Sequence, residues 1–160
     1  NYKRGEKVKK LKLLLVVLLA LVVTGCGNSD AEKTMTCTRT LNQDNLKMDL
    51  KYTVVYQGNY VKQVTSVETI TTDDEEVLNT YKTSVEKVYA PYQGLEYYDT
   101  NVSVEGNTMT STVNINYEKL DVDKLIEIDS ANGQLFSDGK ITISTMENLY
   151  NQVGATCTKN

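Results

Sequence analysis

The chain has 160 residues, of which 17 are basic, 21 are acidic and none is histidine. The absence of histidine excludes Ser-His-Asp and Cys-His catalytic sites and every histidine-ligated zinc site. The acidic balance, a formal net charge of −4 at pH 7, argues against binding to the phosphate backbone of nucleic acids.

The first predicted element is a secretory signal peptide at residues 1–25. Four lysines lead into an apolar run at residues 13–23, which is shorter than the roughly 20 residues that a membrane-spanning helix needs. Val-Thr-Gly-Cys follows at residues 23–26, and it resembles the bacterial lipobox, in which a cysteine follows small residues. The resemblance implies cleavage before Cys26 and a diacylglycerol on its thiol. The alternative is a plain N-terminal anchor with an incidental cysteine.

The predicted mature chain is acidic and long enough for one domain. Residues 1–25 contain six basic residues and one acidic residue, so the remaining 135 residues carry 11 basic and 20 acidic residues, a formal charge of −9. Residues 26–33 are small and polar and predict a flexible tether, and residues 34–160 are expected to form one folded domain. No polybasic segment assists binding, so attachment to the extracytoplasmic face of a bacterial membrane is expected to depend on the lipid of Cys26.

Two cysteines remain if Cys26 carries lipid. Cys37 and Cys157 form an even pair in a secreted protein, which favours a disulfide bond over two buried free thiols. They lie 120 positions apart, each between threonines. In the chain-entropy account, closing so long a loop stabilises a domain by about 4–5 kcal/mol.

Alternating apolar and polar residues predict antiparallel strands. The threonine-rich residues 34–40 predict a first strand, and residues 46–56 alternate most regularly. A Gln-Gly-Asn turn at residues 57–59 makes residues 60–71 the partner strand, although their alternation is weaker. The later predicted strands are residues 96–105 and 109–117, joined by a turn at residues 105–107.

Two capping-box patterns predict where helices begin. The first places Thr72 at the N-cap and Glu75 three residues later. Pro91 and Gly94 are expected to end this helix. Its predicted apolar stripe is Val77, Tyr81, Val85, Val88 and Tyr92. The second box, at residues 144–147, predicts a helix that ends at Gly154; a short helix at 121–128 and a loop at 129–140 lie between.

This order of elements predicts an α+β fold. We expect one domain in which helices pack on the apolar face of an antiparallel sheet, with a threonine-rich face towards solvent. The chain resembles the YehR-like family of small bacterial lipoproteins, whose biochemical function is not established. The resemblance rests on the lipobox, on Cys-Thr-Arg-Thr at 37–40, on the hairpin at 56–61, on residues 117–125 and on Cys157. It implies an α+β fold and supplies no catalytic residue.

Few kinds of chemistry remain open to this sequence. No phosphate-binding glycine motif is present, so we predict no nucleotide cofactor. Acidic and amide side chains at Asp121, Asp123, Asp129, Asn132 and Asp138 resemble calcium ligands in type, but helix starts and loop polarity explain them better than a metal site. A pair of carboxylates acting on cell-wall glycan is the enzymatic alternative.

Tyrosines provide the candidate contact surface. The chain has 11 tyrosines, one phenylalanine and no tryptophan, and tyrosine suits interfaces because it combines a large apolar ring with a hydroxyl group. Core packing is the competing explanation. We predict a non-catalytic lipoprotein that is bound to the membrane by its lipid and binds or protects a partner, such as a protein, at the cell envelope. The predicted partner surface consists of Tyr89, Tyr92, Tyr97 and Tyr98.

Overall fold

The computed structural model describes residues 30–160; the predicted signal peptide and Cys26 lie outside the described residues. Short 3₁₀ helices at Ala90–Tyr92 and Ser130–Leu135 follow the first and second α-helices. Within residues 30–160, no helix is long and apolar enough to cross a membrane. The main elements are β1 (Glu32–Gln43), β2 (Leu46–Gln57), β3 (Tyr60–Thr72), α1 (Glu75–Tyr89), β4 (Tyr98–Glu105), β5 (Thr108–Asn116), α2 (Val122–Ile128), α3 (Ile143–Gln152) and β6 (Thr156–Lys159).

The predicted α+β fold is confirmed. The strands form one antiparallel sheet in the order β4-β5-β3-β2-β1-β6, and α1 and α3 pack on the same face of it. The opposite face carries the threonines of β1, β5 and β6, which are exposed or half-buried. Cross-strand pairs such as Thr36 with Thr158 line that face, as the alternation of the sequence predicts.

The register explains both the regular and the irregular alternation. Val54 of β2 lies between Met35 and Val64 of its neighbours, and all three side chains are buried. Near the β2–β3 turn the pairing shifts by one residue, so that Val61 and Val64 both face the core. A bulge of this kind interrupts a period of two, which is why β3 alternates less clearly than β2.

Each helix covers its own part of the core. The helix α3 contributes Met146 and Tyr150 to a cluster over β1, β2 and β3, in which the Tyr150 ring stacks on Tyr52 at 4.1 Å between centroids. The helix α1 packs Leu78 against Ile70 of β3 in a second cluster. The apolar face of the sheet is therefore covered in two separate patches.

The predicted stripe of α1 is partly wrong. Leu78, which the stripe omitted, is 3% exposed, whereas Val88 is 63% exposed. Tyr81 and Val85 do pack against the second cluster. Because Leu78, Tyr81 and Val85 share one helix face, the face that meets the sheet is rotated from the predicted one. Helix α1 also ends at Tyr89, two residues before Pro91.

Both predicted N-caps are wrong by two residues. Thr72 is the last residue of β3, where its N–H donates to the carbonyl of Asn107, and Asp74 caps α1 by accepting from the N–H groups of Glu76 and Val77. Helix α3 is capped by Thr142 rather than Ser144. Several adjacent side chains could cap each helix, and the pairing of strands or the burial of core residues determines which of them lies at the N-cap.

The disulfide between Cys37 and Cys157 is confirmed. The two cysteines face each other in the pairing of β1 with β6, a short final strand that the sequence pattern did not predict. At the other terminus β1 begins at Glu32, so residues 32 and 33 belong to the strand rather than to the predicted tether. Four residues of β6 are thus fixed to the sheet by both hydrogen bonds and a covalent bond.

Removing the disulfide is expected to lower the free energy of unfolding by about 2–5 kcal/mol, because β6 is an edge strand with one neighbour. Thermal unfolding of a C37S/C157S variant measures this loss, and the chain with Cys26→Ala, which retains the disulfide, is the control. An unchanged melting temperature, or free thiols at both positions in the secreted protein, would contradict the prediction.

Candidate functional site

The four tyrosines of the predicted surface do meet at one corner, where α1 turns into β4. We call Tyr89, Tyr92, Tyr97 and Tyr98 the tyrosine corner. Tyr89 ends α1, Tyr92 lies in the following 3₁₀ helix, and Tyr98 begins β4. Gly94 adopts a φ of 83° between them, a conformation that favours glycine. The turn therefore brings both ends of the segment together.

Two of these rings stack on each other. The centroids of Tyr92 and Tyr98 lie 4.7 Å apart with an angle of 11° between the planes. Tyr98 is half-buried opposite Ile115 of β5, and burial raises the pKa of its hydroxyl. This pair packs the corner against the sheet rather than presenting both rings to solvent.

Tyr89 also has a structural contact. Burial raises the pKa of the Tyr89 hydroxyl, and the neighbouring Ser111 side chain opposes this shift. Ser111 is 2% exposed on β5, so Tyr89 lies beside a part of the sheet that water does not reach. Tyr89 thereby fixes the end of α1 to the sheet.

Tyr97 is the exposed member of the corner. Its side chain is 44% exposed, and Lys119 Nζ lies 5.5 Å from the ring centroid. The backbone is held, since the carbonyl of Tyr97 accepts a 3.0 Å hydrogen bond from the N–H of Asn116. Of the adjacent residues Tyr97 and Tyr98, Tyr97 is therefore the exposed one.

A cleft of about 620 Å³ lies beside the corner, between residues 91–96 and α2. Its lining mixes charges of both signs, including Lys119, Lys124 and Glu127. The volume is within the range of small-molecule sites, but such sites are mainly apolar. The cleft is better suited to contact with a polar surface than to enclosing an apolar ligand.

A second exposed tyrosine, which the sequence analysis did not single out, lies at the same end of the sheet. Tyr60 begins β3, is 47% exposed, and has Lys140 Nζ 4.8 Å from its ring centroid. A smaller cleft of about 310 Å³ lies beside it and is lined in part by Tyr117 and Phe136. Its position after a Gly-Asn turn was the available signal, because residues that flank turns often remain exposed.

Glu68 has no carboxyl group beside it on the two strands that flank β3. Burial raises the pKa of Glu68, which lies on the helix-covered face of β3. Its cross-strand neighbours are Leu50 and Ser111, neither of which carries a carboxyl group. The two carboxyl groups of a glycosidase must flank one bond, and Glu68 has no such partner beside it on the sheet.

Three of the five side chains considered as calcium ligands form hydrogen bonds with the backbone. Asp121 caps α2 by accepting from the N–H of Lys124, and Asp129 accepts from the N–H of Ala131. The side-chain amide of Asn132 donates to the carbonyl of Leu125. In the part of the chain that the structure describes, no group of three or more cysteine, aspartate or glutamate residues is placed to hold a metal ion.

Comparison with known proteins identifies the fold. No protein-family model and no curated protein matches the chain. The NMR structure of the E. coli YehR protein is similar, with 20% identity, a TM-score of 0.52, and coverage of 81% of this chain and 92% of that one. The NMR structure of a protein from Streptococcus pneumoniae TIGR4 is similar too, with 15% identity, a TM-score of 0.52, and coverage of 87% and 92%. The chain therefore has a YehR-like fold.

We predict that two rings of the tyrosine corner differ in how much they contribute to the stability of the domain. Tyr98→Ala is expected to cost about 3 kcal/mol, because it removes a stacked, half-buried ring. Tyr97→Asn is the matched control and is expected to change stability by no more than about 0.5 kcal/mol. The Tyr97 ring is exposed, and asparagine tolerates the φ of 65° at this position. Chemical denaturation measures both. Equal losses in the two variants would place Tyr97 in the core and contradict the assignment.

Proposed function

We propose that this chain is a lipid-anchored, non-catalytic binding domain on the extracytoplasmic face of a bacterial membrane. The observation that carries the proposal is the lipobox at residues 23–26, preceded by lysines and an apolar run too short to span a bilayer. The disulfide between Cys37 and Cys157 agrees with secretion, because such bonds persist in oxidising compartments. The similarity to the YehR protein shows the fold alone.

The exposed groups favour binding over catalysis. An enzyme that acts on glycan needs an acid and a second carboxylate at one cleft, and Glu68 lies among uncharged neighbours on its strand pairs. Tyr97 and Lys119, by contrast, form an exposed aromatic and cationic pair beside an open cleft. We propose that this part of the tyrosine corner contacts a component of the cell envelope, and that Tyr89, Tyr92 and Tyr98 support it.

The anchor is tested by replacing the cysteine that would carry the lipid. Cys26→Ala is expected to abolish incorporation of a labelled fatty acid, to block cleavage before residue 26, and to leave the chain unprocessed. Ser29→Ala, in the same segment, is the control and should be labelled and processed normally. Fatty-acid labelling, mass spectrometry of the N-terminus and membrane fractionation make the measurement. A Cys26→Ala chain that is still cut at the same place and still bound to membranes would contradict the proposal.

A further inference from the structure

The first described residues are fixed to one end of the sheet. The carbonyl of Asp30 accepts a hydrogen bond from the side-chain amide of Gln57. Glu32 forms an ion pair with Lys62, whose ammonium group also lies 3.3 Å from Glu118. We call this end of the sheet the anchor end. It contains the starts of β1, β3 and β4 and the ends of β2, β5 and β6.

The anchor end cannot lie far from the lipid. Cys26 precedes Asp30 by four residues, and four extended residues span at most about 14 Å. If Cys26 carries lipid, as proposed above, Asp30 is held within that distance of the bilayer surface. Because Asp30 and Glu32 are bonded to Gln57 and Lys62, the restraint extends to the anchor end as a whole.

Two exposed tyrosine–lysine pairs project from this end. They are Tyr60 with Lys140 and Tyr97 with Lys119, and both tyrosine rings are more than two-fifths exposed. Strand β5 separates β3 from β4, so these two strands are about 10 Å apart across the sheet. Tyrosine favours the membrane–water interface, where its ring meets the headgroups and its hydroxyl remains hydrated. Lysine favours the neighbourhood of anionic headgroups.

The far end of the sheet carries a concentration of acidic residues. Its turns carry Asp44 and Glu105, and the start of α1 follows there. Asn107 links two of these turns, because its side-chain amide donates to Asp73 at 2.9 Å. An anionic bilayer repels such a concentration of acids. The acidic residues at the far end are Asp44, Asp73, Asp74, Glu75, Glu76 and Glu105.

We propose that the anchor end lies against the bilayer, with the rings of Tyr60 and Tyr97 among the lipid headgroups and with Lys119 and Lys140 beside anionic phosphates. The proposal rests on the proposed lipid at Cys26 and names the lipid surface as the envelope component that the tyrosine corner contacts. Few contacts suffice, because the tether makes each of them intramolecular and raises its effective concentration. This orientation leaves the threonine face and the acidic turns open to the envelope space.

Tryptophan fluorescence tests the orientation, because the chain has no tryptophan of its own. Tyr60→Trp and Tyr97→Trp each place one fluorophore at the anchor end, and Val104→Trp, at a residue that is 38% exposed near the far end, is the matched control. The full lipidated chain is reconstituted into phosphatidylglycerol and phosphatidylcholine vesicles, with or without brominated acyl chains. We expect loss of fluorescence in brominated vesicles for the two anchor-end variants and none for Val104→Trp.

The other outcomes overturn the proposal. Protein that floats with the vesicles but is quenched equally at all three positions, or at none, contradicts the orientation and leaves the lipid anchor intact. Protein that does not float contradicts the anchor and the orientation together.

A photoreactive residue at Tyr97 that captures a protein in cells, rather than lipid, assigns the corner to a protein partner instead. The double substitution Lys119→Gln and Lys140→Gln should weaken quenching on vesicles that contain phosphatidylglycerol and should not change it on vesicles of phosphatidylcholine alone. Quenching that is the same with and without phosphatidylglycerol would exclude the role of the lysines.

Discussion

The pairing of β1 with β6, closed by the Cys37–Cys157 disulfide, is the contact on which the rest of the domain depends. Strand β1 carries the start of the domain, and β6 follows directly from α3. The guanidinium of Arg39 in β1 donates to the carbonyl of Val153 at the end of α3, and a Cβ at Gly154 would lie 3.1 Å from Arg39 Nε. Strand β1 therefore fixes α3 on the core.

Much of the fold is readable from the sequence because one face of each long strand is buried. Period-two alternation identified β2, and the even pair of cysteines identified the disulfide. Strand β6 was not found, since four residues are too few to carry a periodic signal and only its partner β1 defines it. The caps were misplaced because Thr72 and Asp74 can both cap a helix, and the hydrogen bond of Thr72 with Asn107 decided between them.

The sequence predicted where the tyrosine corner lies but not which of its rings is exposed. Composition and the turn pointed to the tyrosine corner, yet which ring remains exposed depends on how α1 lies over β4 and β5. Docking of α1 buries Tyr89 on Ser111 and allows Tyr92 to stack on Tyr98. The pairing of Tyr60 with Lys140 depends on a loop that returns to the start of β3, where Val61 N–H donates to the carbonyl of Ile141. Contacts between segments so distant in sequence have no local signal.

The central claim is that a lipid-anchored domain rests on the bilayer through the end that carries Tyr60 and Tyr97. Hydrogen exchange of the lipidated chain on phosphatidylglycerol-containing vesicles, compared with residues 26–160 produced without lipid and without the preceding segment, measures this directly. The account predicts slower exchange at residues 57–62, 97–98, 116–119 and 137–142 on the vesicles, and unchanged exchange at the turns 44–45 and 106–107. Protection at those acidic turns, or the same exchange everywhere in both samples, would contradict it.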